Sequence, residues 1–352
     1  MNSLAQIRLL NFRNYDRLDL EWGSHVNMIV GRNGSGKTNL LEAVFLVASG
    51  QVLRAAKDAE AIRHGESQAL VTGISAENSA ETKITLRAGH RKQVMVNGAS
   101  LARASDLLGR MPAVTFLPED LDLVRGSPDH RRHFLDLALS QVFPAYLNHL
   151  ANYKRALQHR NALLKRAQDE PVGEDEFEIW EGELDAHGSA LRSLRMQFIE
   201  ECAPIASGLN QKLAGGDGLE MAYEVCPPPA SRSLEIARGY TLSGPHRDDL
   251  DLKRQGFSLR SYGSQGQQRT AAIALKLSEL EFVASKLEIR PMLLLDDVFS
   301  ELDQIRRSNL ITTGLNMAGQ IFITCTEPEQ GGELAREAKI YRVSQGEVTE
   351  EP

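Results

Sequence analysis

Residues Gly31–Thr38 carry the most specific chemical pattern in the chain and read Gly-Arg-Asn-Gly-Ser-Gly-Lys-Thr. They fit the phosphate-loop pattern G-x-x-x-x-G-K-[ST], in which glycines allow consecutive backbone N–H groups to turn inward around phosphate oxygens. Lys37 would reach the terminal phosphates of a nucleoside triphosphate, and the Thr38 hydroxyl would bind its magnesium ion. The pattern therefore predicts a triphosphate and Mg2+ as ligands.

The flanking sequence supports this interpretation because it predicts a strand before the loop and a helix after it. Residues 25–30 form a short apolar run, and residues 39–49 place apolar side chains on one broad face at helical spacing. Such a unit brings the positive N-terminal end of the helix to the phosphates. The predicted nucleotide-binding residues of this segment are Gly31, Arg32, Asn33, Gly34, Ser35, Gly36, Lys37, Thr38 and Asn39.

Two adjacent carboxylates supply the second part of the predicted site. A continuous apolar run over residues 291–295 indicates a buried strand that ends at Asp296. A phosphate-loop protein needs an acidic partner for magnesium, and the end of a hydrophobic strand is where such proteins keep it. We therefore predict Thr38 and Asp296 as metal ligands and Asp297 as the group that orients or activates an attacking water. Lys37, Asp296 and Asp297 are the predicted catalytic residues.

A third pattern, Ser264-Gln-Gly-Gln, begins a predicted long helix. Ser264 can cap this helix with Gln267 as its partner three residues on, so that free N–H groups and the positive end of the helix dipole face outward. Such an end would bind an anion, although a capping role alone is the alternative. The predicted binding residues here are Ser264, Gln265, Gly266 and Gln267.

Length and composition are those of a globular protein with one large domain carrying an insertion, or with two domains. The chain has 352 residues, of which 42% are hydrophobic and 25% are charged. Apolar runs stay shorter than the roughly eighteen residues that a membrane span requires, and the first residues do not resemble a signal peptide. We therefore expect a cytoplasmic protein with no membrane partner. The three cysteines are scattered without metal-ligand spacing.

Charge is distributed unevenly along the chain. The net charge of -7 argues against constitutive nucleic-acid binding, because affinity for phosphate comes mainly from Lys and Arg. Residues 125–166, however, contain eight basic and two acidic residues, a net charge of +6. These cations form either a solvated face or a DNA-binding surface assembled from two copies. The candidates for DNA contact are Arg131, Arg132, Lys154, Arg155 and Arg160.

The predicted elements indicate an α/β fold whose mixed sheet and flanking helices are interrupted by a helical arm. Two long helical runs, with a division at Pro144 and a turn near residues 170–175, lie between regions rich in short strands. A hairpin is predicted over residues 6–22, and further strands at 68–75, 82–87, 93–96, 113–117, 221–225, 239–242, 291–298 and 320–324.

Together these motifs resemble the ABC-type ATPase heads of the SMC family. Gly31–Thr38, Ser264–Gln267, Leu293–Asp297 and Ser300–Asp303 occur in the order found there. Nearly the whole chain is, more closely, similar to the RecF family of bacterial recombination mediators. The segments that carry this similarity include Asn11–Tyr15, Phe116–Leu121, Gly126–Pro128 and Gly244–Asp248.

The resemblance implies an ABC-type P-loop ATPase head with an N-terminal part (1–124), an inserted helical arm (125–218) and a C-terminal part (219–352). ATP would bind at Gly31–Thr38 of one copy and be enclosed by Ser264–Gln267 of another, with Asp303 at the same dimer seam. Members of the family bind DNA in an ATP-dependent manner at gaps and single-strand/double-strand junctions. The implied roles are replication, repair and SOS induction, the implied partners are RecR and RecO, and the implied activity is a weak DNA-dependent ATPase.

The sequence also departs from the pattern of ABC ATPases. Asp297 stands where many of them have Glu, which is one methylene longer, so hydrolysis is expected to be slow. Thr324-Cys-Thr326 occupies the region where a histidine often follows the last core strand, and only Arg54 retains a short arginine-containing motif.

Two other functions remain alternatives, namely a P-loop phosphotransferase and an ABC-type ATPase subunit of another system, such as a transporter. A phosphotransferase would not need Ser264-Gln-Gly-Gln, and a transporter subunit fits poorly with the long helical insertion.

Overall fold

A computed structural model describes residues 3–53, 57–214, 216–301 and 304–351. Arg54 and Asp303, which were singled out above, lie outside these ranges. In chain order the elements are β1 (Leu4–Phe12), β2 (Tyr15–Glu21), β3 (Val26–Val30), α1 (Lys37–Ser49), β4 (Gln68–Ser75), β5 (Glu81–Arg87), β6 (Gln93–Val96), β7 (Ala99–Ser100), β8 (Ala113–Phe116), α2 (Asp122–Arg125), α3 (Pro128–Val142), α4 (Pro144–Arg166), α5 (Glu174–Ala214), β9 (Glu220–Glu224), α6 (Arg232–Arg238), β10 (Asp249–Arg254), β11 (Phe257–Ser258), α7 (Leu259–Tyr262), α8 (Gln265–Leu287), β12 (Met292–Asp296), α9 (Gln304–Met317), β13 (Gln320–Cys325), β14 (Lys339–Ser344) and β15 (Glu347–Glu350).

These elements fall into two compact units. The first contains Met1–Asp120 and Lys276–Pro352, and the second contains Leu121–Leu275. Residues 219–275 group with the helices because β9 and β10 pair with each other and pack on α5 and α3. The predicted domain boundaries at 124/125 and 218/219 stay a prediction.

A mainly parallel sheet forms the base of the first unit, in the order β15-β14-β3-β13-β12-β8. Only the β14–β15 pair is antiparallel, so the sheet is mixed as predicted. Strands β3, β12 and β13 are buried along their whole length, which is why they read as continuous apolar runs. In the register Val30 pairs with Cys325 and Thr324 pairs with Asp296. The carboxyl ends of β3, β13 and β12 therefore meet at one edge.

An antiparallel sheet completes the first unit, in the order β2-β1-β4-β5-β6-β7. It contains the predicted N-terminal hairpin and the three strands predicted between residues 68 and 96. Helix α1 contacts strands of both sheets and is buried from Leu40 to Ser49. This burial fixes the position of α1, and with it the N-terminal helix end that directly follows the phosphate loop.

The second unit combines α2 to α7 and the beginning of α8 with a three-stranded sheet in the order β11-β10-β9. Helices α4 and α5 form the predicted helical hairpin, and Pro144 begins α4 at a position where its missing N–H costs little. The strand predicted at residues 239–242 is wrong. Gly239, with a φ of +74°, ends α6, and the Thr241 N–H bonds the Asn161 side chain at 2.8 Å instead of a strand partner.

Within the described ranges, no helix combines the length and the apolar character needed to cross a membrane.

His246 makes the stability of the second unit sensitive to acid. Its Nε2 lies 3.2 Å from the Thr241 carbonyl oxygen and its Nδ1 lies 2.7 Å from the Tyr153 hydroxyl, so the neutral ring donates from Nε2 and accepts at Nδ1. Burial lowers the pKa of this imidazole from 6.5 to about 4. The unfolded chain binds a proton here below pH 6.5, whereas the folded chain does so only near pH 4. Stability is therefore lost as the pH falls between these values.

We expect this residue to remove up to about 2 kcal/mol of the free energy of unfolding between about pH 7 and about pH 5. The variant His246→Gln should lose correspondingly less, which urea unfolding at the two pH values would measure. His90→Gln, at an exposed loop histidine, is the matched control and should keep the wild-type dependence. An unchanged pH dependence in His246→Gln would contradict this account.

Candidate nucleotide-binding site

The phosphate loop connects β3 to α1 in a conformation that requires glycine at two of its positions. A Cβ at Gly31 would lie 2.4 Å from the Val343 carbonyl oxygen. Gly36 has a φ of +116°, and a Cβ there would lie 2.4 Å from Asn14 Nδ2. The loop is therefore packed against the chain on its outer side, as expected for a cradle whose N–H groups face a phosphate.

Lys37 lies across this loop. Its Nζ donates to the carbonyl oxygens of Gly31 at 2.7 Å and Arg32 at 3.1 Å, and the residue is buried. Burial lowers the pKa of Lys37, and the charge of Asp297 opposes this most strongly. The carbonyl oxygens that Lys37 contacts carry only partial charge, so a phosphate in the loop would be a stronger direct hydrogen-bond partner for this ammonium.

The predicted metal-binding pair is brought together, although its members are 258 positions apart. The Thr38 hydroxyl donates to the Asp296 carboxylate, with its Oγ1 2.8 Å from Oδ1 and 3.1 Å from Oδ2. Asp296 is only 1% exposed, so its charge faces this cluster and not solvent. A hydroxyl and a carboxylate at the end of a phosphate loop are the hard oxygen ligands that Mg2+ prefers. The residues present therefore fit a magnesium–triphosphate ligand.

Thr324, which the sequence reasoning did not select for the site, holds the Asp296 carboxylate and the backbone of Asp297 in place. Its hydroxyl donates to Asp296 Oδ1 at 2.7 Å and accepts the Asp297 N–H at 2.9 Å. The only signal was its position at the end of β13, beside the end of β12. Asp297 itself has a φ of +49°, a left-handed conformation that Asp and Asn tolerate better than most residues.

Asn14 and Tyr15, which precede β3 in the chain, support the loop from outside. Neither was predicted as a site residue. Asn14 receives a hydrogen bond from Asn39 Nδ2 at 2.7 Å and donates one to the Ser35 carbonyl oxygen at 3.2 Å. The Tyr15 hydroxyl donates to the Gly36 carbonyl oxygen at 2.9 Å. The signal for both was the segment Asn11–Tyr15, which the resemblance had already marked. Asn39, predicted as a nucleotide ligand, contacts Asn14 here.

The remaining loop residues leave room for a ligand. Arg32, Asn33 and Gly34 are exposed. The Ser35 hydroxyl oxygen is buried and has no hydrogen-bond partner among the described residues. A bound phosphate oxygen would give it one.

The helix start predicted at Ser264 is found at the start of α8, while its role as an anion site stays a prediction. The Ser264 N–H donates to Gln267 Oε1 at 2.8 Å, and the Gln267 N–H donates to Ser264 Oγ at 3.3 Å. This reciprocal capping box confirms the predicted helix start. Ser264 and Gln265 are exposed, and Gly266 is partly exposed, so the helix end is accessible.

Two of the five predicted DNA-contacting residues are buried and paired with carboxylates, which corrects that prediction. Arg131 is 4% exposed and forms an ion pair with Asp249 at 2.7 Å. Arg160 is 6% exposed and lies 2.6 Å from Glu235. Guanidinium groups held in this way are not available to phosphates, so their role is to tie the helices to distant parts of the second unit.

The other three predicted DNA-contacting residues differ in exposure. Arg132 donates to the Asp248 carbonyl oxygen at 2.8 Å and to Asp129 at 2.6 Å, and its side chain is 16% exposed. Lys154 and Arg155 are exposed on α4. These two residues have the exposed positive charge that contact with nucleic-acid phosphates requires.

Comparison with known proteins places this site in a family. The model of the RecF/RecN/SMC N-terminal domain matches residues 3–349. The DNA replication and repair proteins RecF of Bacillus mycoides (strain KBAB4) and Bacillus thuringiensis (strain Al Hakam) are each 36% identical to this chain, over 98% of its length and 98% of their own.

Solved structures agree with this assignment. A structure of the recombination mediator protein RecF with ATP, from the RecFOR pathway, is 31% identical, covers 100% of this chain and 98% of its own, and has a TM-score of 0.90. An Smc head domain from Pyrococcus furiosus, at 18% identity, coverage of 100% and 96%, and a TM-score of 0.59, shares the fold. The chain therefore belongs to the RecF family, within the wider group of RecF, RecN and SMC proteins.

Proposed function

We propose that this chain is an ATP-dependent DNA-binding recombination mediator that dimerises around ATP. In this mechanism Gly31–Thr38 of one copy holds the triphosphate, and the Ser264 helix end of a second copy encloses it. The observation that carries the proposal is the contact between the Thr38 hydroxyl and the Asp296 carboxylate beside the phosphate loop. The family's solved ATP complex supports ATP as the nucleotide.

Two helix N-termini of the chain, each of a kind that suits an anion, support the proposal of a shared site. The N-terminal end of α1 directly follows the phosphate loop and would serve the triphosphate held by that loop. The end of α8 is capped by Ser264 and Gln267 and is accessible, so it can bind a second anionic group. In a dimer each triphosphate would lie between one end of each kind, and Asp303 would lie at the same seam.

Hydrolysis would reset the dimer, and the side chains have distinct tasks in it. Lys37 binds the terminal phosphates, and Asp296 and Thr38 hold the metal. Mg2+, when bound, neutralises the charge that develops on the phosphoryl oxygens. Asp297 orients the attacking water and accepts its proton, and Thr324 fixes the backbone of Asp297 by the hydrogen bond described above.

DNA is the proposed macromolecular ligand, both single-stranded and at double-stranded junctions. Lys154 and Arg155 are exposed on α4, and two copies would double the number of these cations. Such contacts reconcile the net charge of -7 with DNA binding. The RecFOR pathway to which the solved RecF structures belong suggests RecR and RecO as partners, in replication, gap repair and SOS induction in the cytoplasm.

Sedimentation velocity with and without ATP and a gapped duplex tests this function. We expect a monomer without ATP, a dimer with ATP that the duplex stabilises, and a monomer throughout for Lys37→Met, because that variant lacks the ammonium that binds the phosphates. The variant Ser264→Arg should bind ATP as tightly as the wild type and fail to dimerise, because its bulk and charge block the helix end.

These two variants separate the halves of the proposed site. A wild type that stays monomeric with ATP and DNA would refute the shared site. ATP-dependent dimers of Ser264→Arg would show that this helix end does not meet the nucleotide of the second copy.

A further inference from the structure

Two aromatic side chains beside the Ser264 helix end are unusually exposed. Phe257 is 64% exposed and Tyr262 is 76% exposed, the highest fractions among the large hydrophobic side chains that the structure describes. Their rings form an edge-to-face pair with centroids 6.0 Å apart. Leaving this much aromatic surface in water is unfavourable, so the pair is a candidate for a surface that another molecule covers.

The chain holds this pair in a fixed position relative to Ser264. Gln255 and Gly256 have φ values of +52° and +75°, so they form the tight two-residue turn that sets the position of Phe257. Leu259 is buried, and Gln268 Nε2 of α8 donates to its carbonyl oxygen at 2.9 Å. The short helix that carries Tyr262 is thus tied directly to the first turn of α8.

Gly263 makes the connection between Tyr262 and Ser264 compact. A Cβ at this position would lie 2.5 Å from the Leu259 carbonyl oxygen, so no larger residue fits without movement of the backbone. The aromatic pair and the anion-binding helix end therefore form one continuous surface.

A cavity of about 250 Å³ lies between the aromatic pair and the Ser264 helix end. It is lined by both aromatic residues and by Gln267 of the capping box. Arg254 is the charged residue among those that line it, and its guanidinium is paired with Asp217 at 3.3 Å. Apart from this ion pair the cavity lining is uncharged, which fits a protein surface with a nucleotide at its edge better than a surface for the phosphates of DNA. Arg260, exposed on the same short helix as Tyr262, lies outside this lining.

We propose that Phe257 and Tyr262 form an aromatic platform that packs against the nucleotide-binding face of a second copy of this chain when the Ser264 helix end meets that copy's ATP. The inference rests on the proposed function and adds residues that stabilise the dimer without contacting the phosphates. The platform buries apolar surface next to the polar contact of Ser264. Protein interfaces commonly combine a buried aromatic anchor with polar contacts around it in this way.

The test compares the double variant Phe257→Ala/Tyr262→Ala with Ile179→Ala in sedimentation equilibrium at saturating ATP. Ile179, on α5, is the matched control. Its side chain is 63% exposed, close to the value for Phe257, and it lies on a different element from Ser264. We expect the dissociation constant of the ATP-dependent dimer to rise at least about tenfold in the double variant. The control should dimerise as the wild type does, and both variants should bind ATP unchanged as monomers.

The outcomes separate this inference from the proposed function. A wild type that forms no ATP-dependent dimer overturns both. A double variant that dimerises like the wild type overturns the platform alone. If that variant dimerises normally but binds single-stranded DNA more weakly, the platform is likewise overturned, and the rings stack on bases instead.

Discussion

Replacing Asp297 with Asn is expected to lower the steady-state rate of ATP hydrolysis at least about 100-fold while leaving ATP-dependent dimerisation intact. Asn has the same size, tolerates the φ of +49°, and keeps the backbone N–H that donates to Thr324. What it lacks is a carboxylate that accepts a proton from water. Release of inorganic phosphate at saturating ATP measures the rate, and sedimentation of the same sample measures the dimer, which should persist longer than that of the wild type.

Two further variants test whether a loss of hydrolysis in Asp297→Asn is due to the missing carboxylate at this position. Glu327→Gln removes an exposed carboxylate just after β13 and should keep the wild-type rate. Asp297→Glu restores a carboxylate but places a longer side chain on a left-handed backbone, so its rate should lie above that of Asp297→Asn. Wild-type hydrolysis in Asp297→Asn would assign activation of water to a different group.

The part of the site that depends on local sequence could be predicted. The phosphate loop, the strand before it and the helix after it follow from neighbouring residues, and so does the capping box of Ser264 and Gln267. The contact between Thr38 and Asp296, the predicted metal ligands, could also be predicted, although the two lie far apart, because each ends or follows a strongly apolar strand of a parallel sheet.

Partners that come from distant positions could not be predicted. Arg131 and Arg160 looked like surface cations because their carboxylate partners Asp249 and Glu235 lie 118 and 75 positions further along the chain. Periodicity places a side chain on a face of a helix, but it does not show which element covers that face.

Backbone conformation was equally hidden from sequence reasoning. The left-handed φ of Asp297 offers a physical reason for Asp at this position, where the resemblance alone suggested only a shortened glutamate. The strand predicted at residues 239–242 failed for a related reason, because Gly239 ends α6 there in a left-handed conformation.

Replacing Lys276 with Met is expected to lower the free energy of unfolding by about 3–5 kcal/mol. Lys276 Nζ lies 2.5 Å from Glu279 Oε2 within the first unit, and their side chains are only 4% and 1% exposed. Burial acts to lower the pKa of Lys276, but the charges of Glu279 and Asp120 outweigh it and raise that pKa. The other carboxylate oxygen of Glu279 has no hydrogen-bond partner among the described residues. Met therefore leaves a buried carboxylate without its countercharge.

Urea unfolding of three variants distinguishes lost charge compensation from lost packing. Lys286→Met, on the exposed part of the same helix, loses a cation–π contact with the Phe282 ring and should change the free energy of unfolding by no more than about 1 kcal/mol. The double variant Lys276→Met/Glu279→Leu should recover much of the loss of the single variant, because an apolar pair of similar volume replaces a buried ion pair at little net cost. A double variant no more stable than Lys276→Met would show that the lysine stem stabilises the unit by packing and not by its charge.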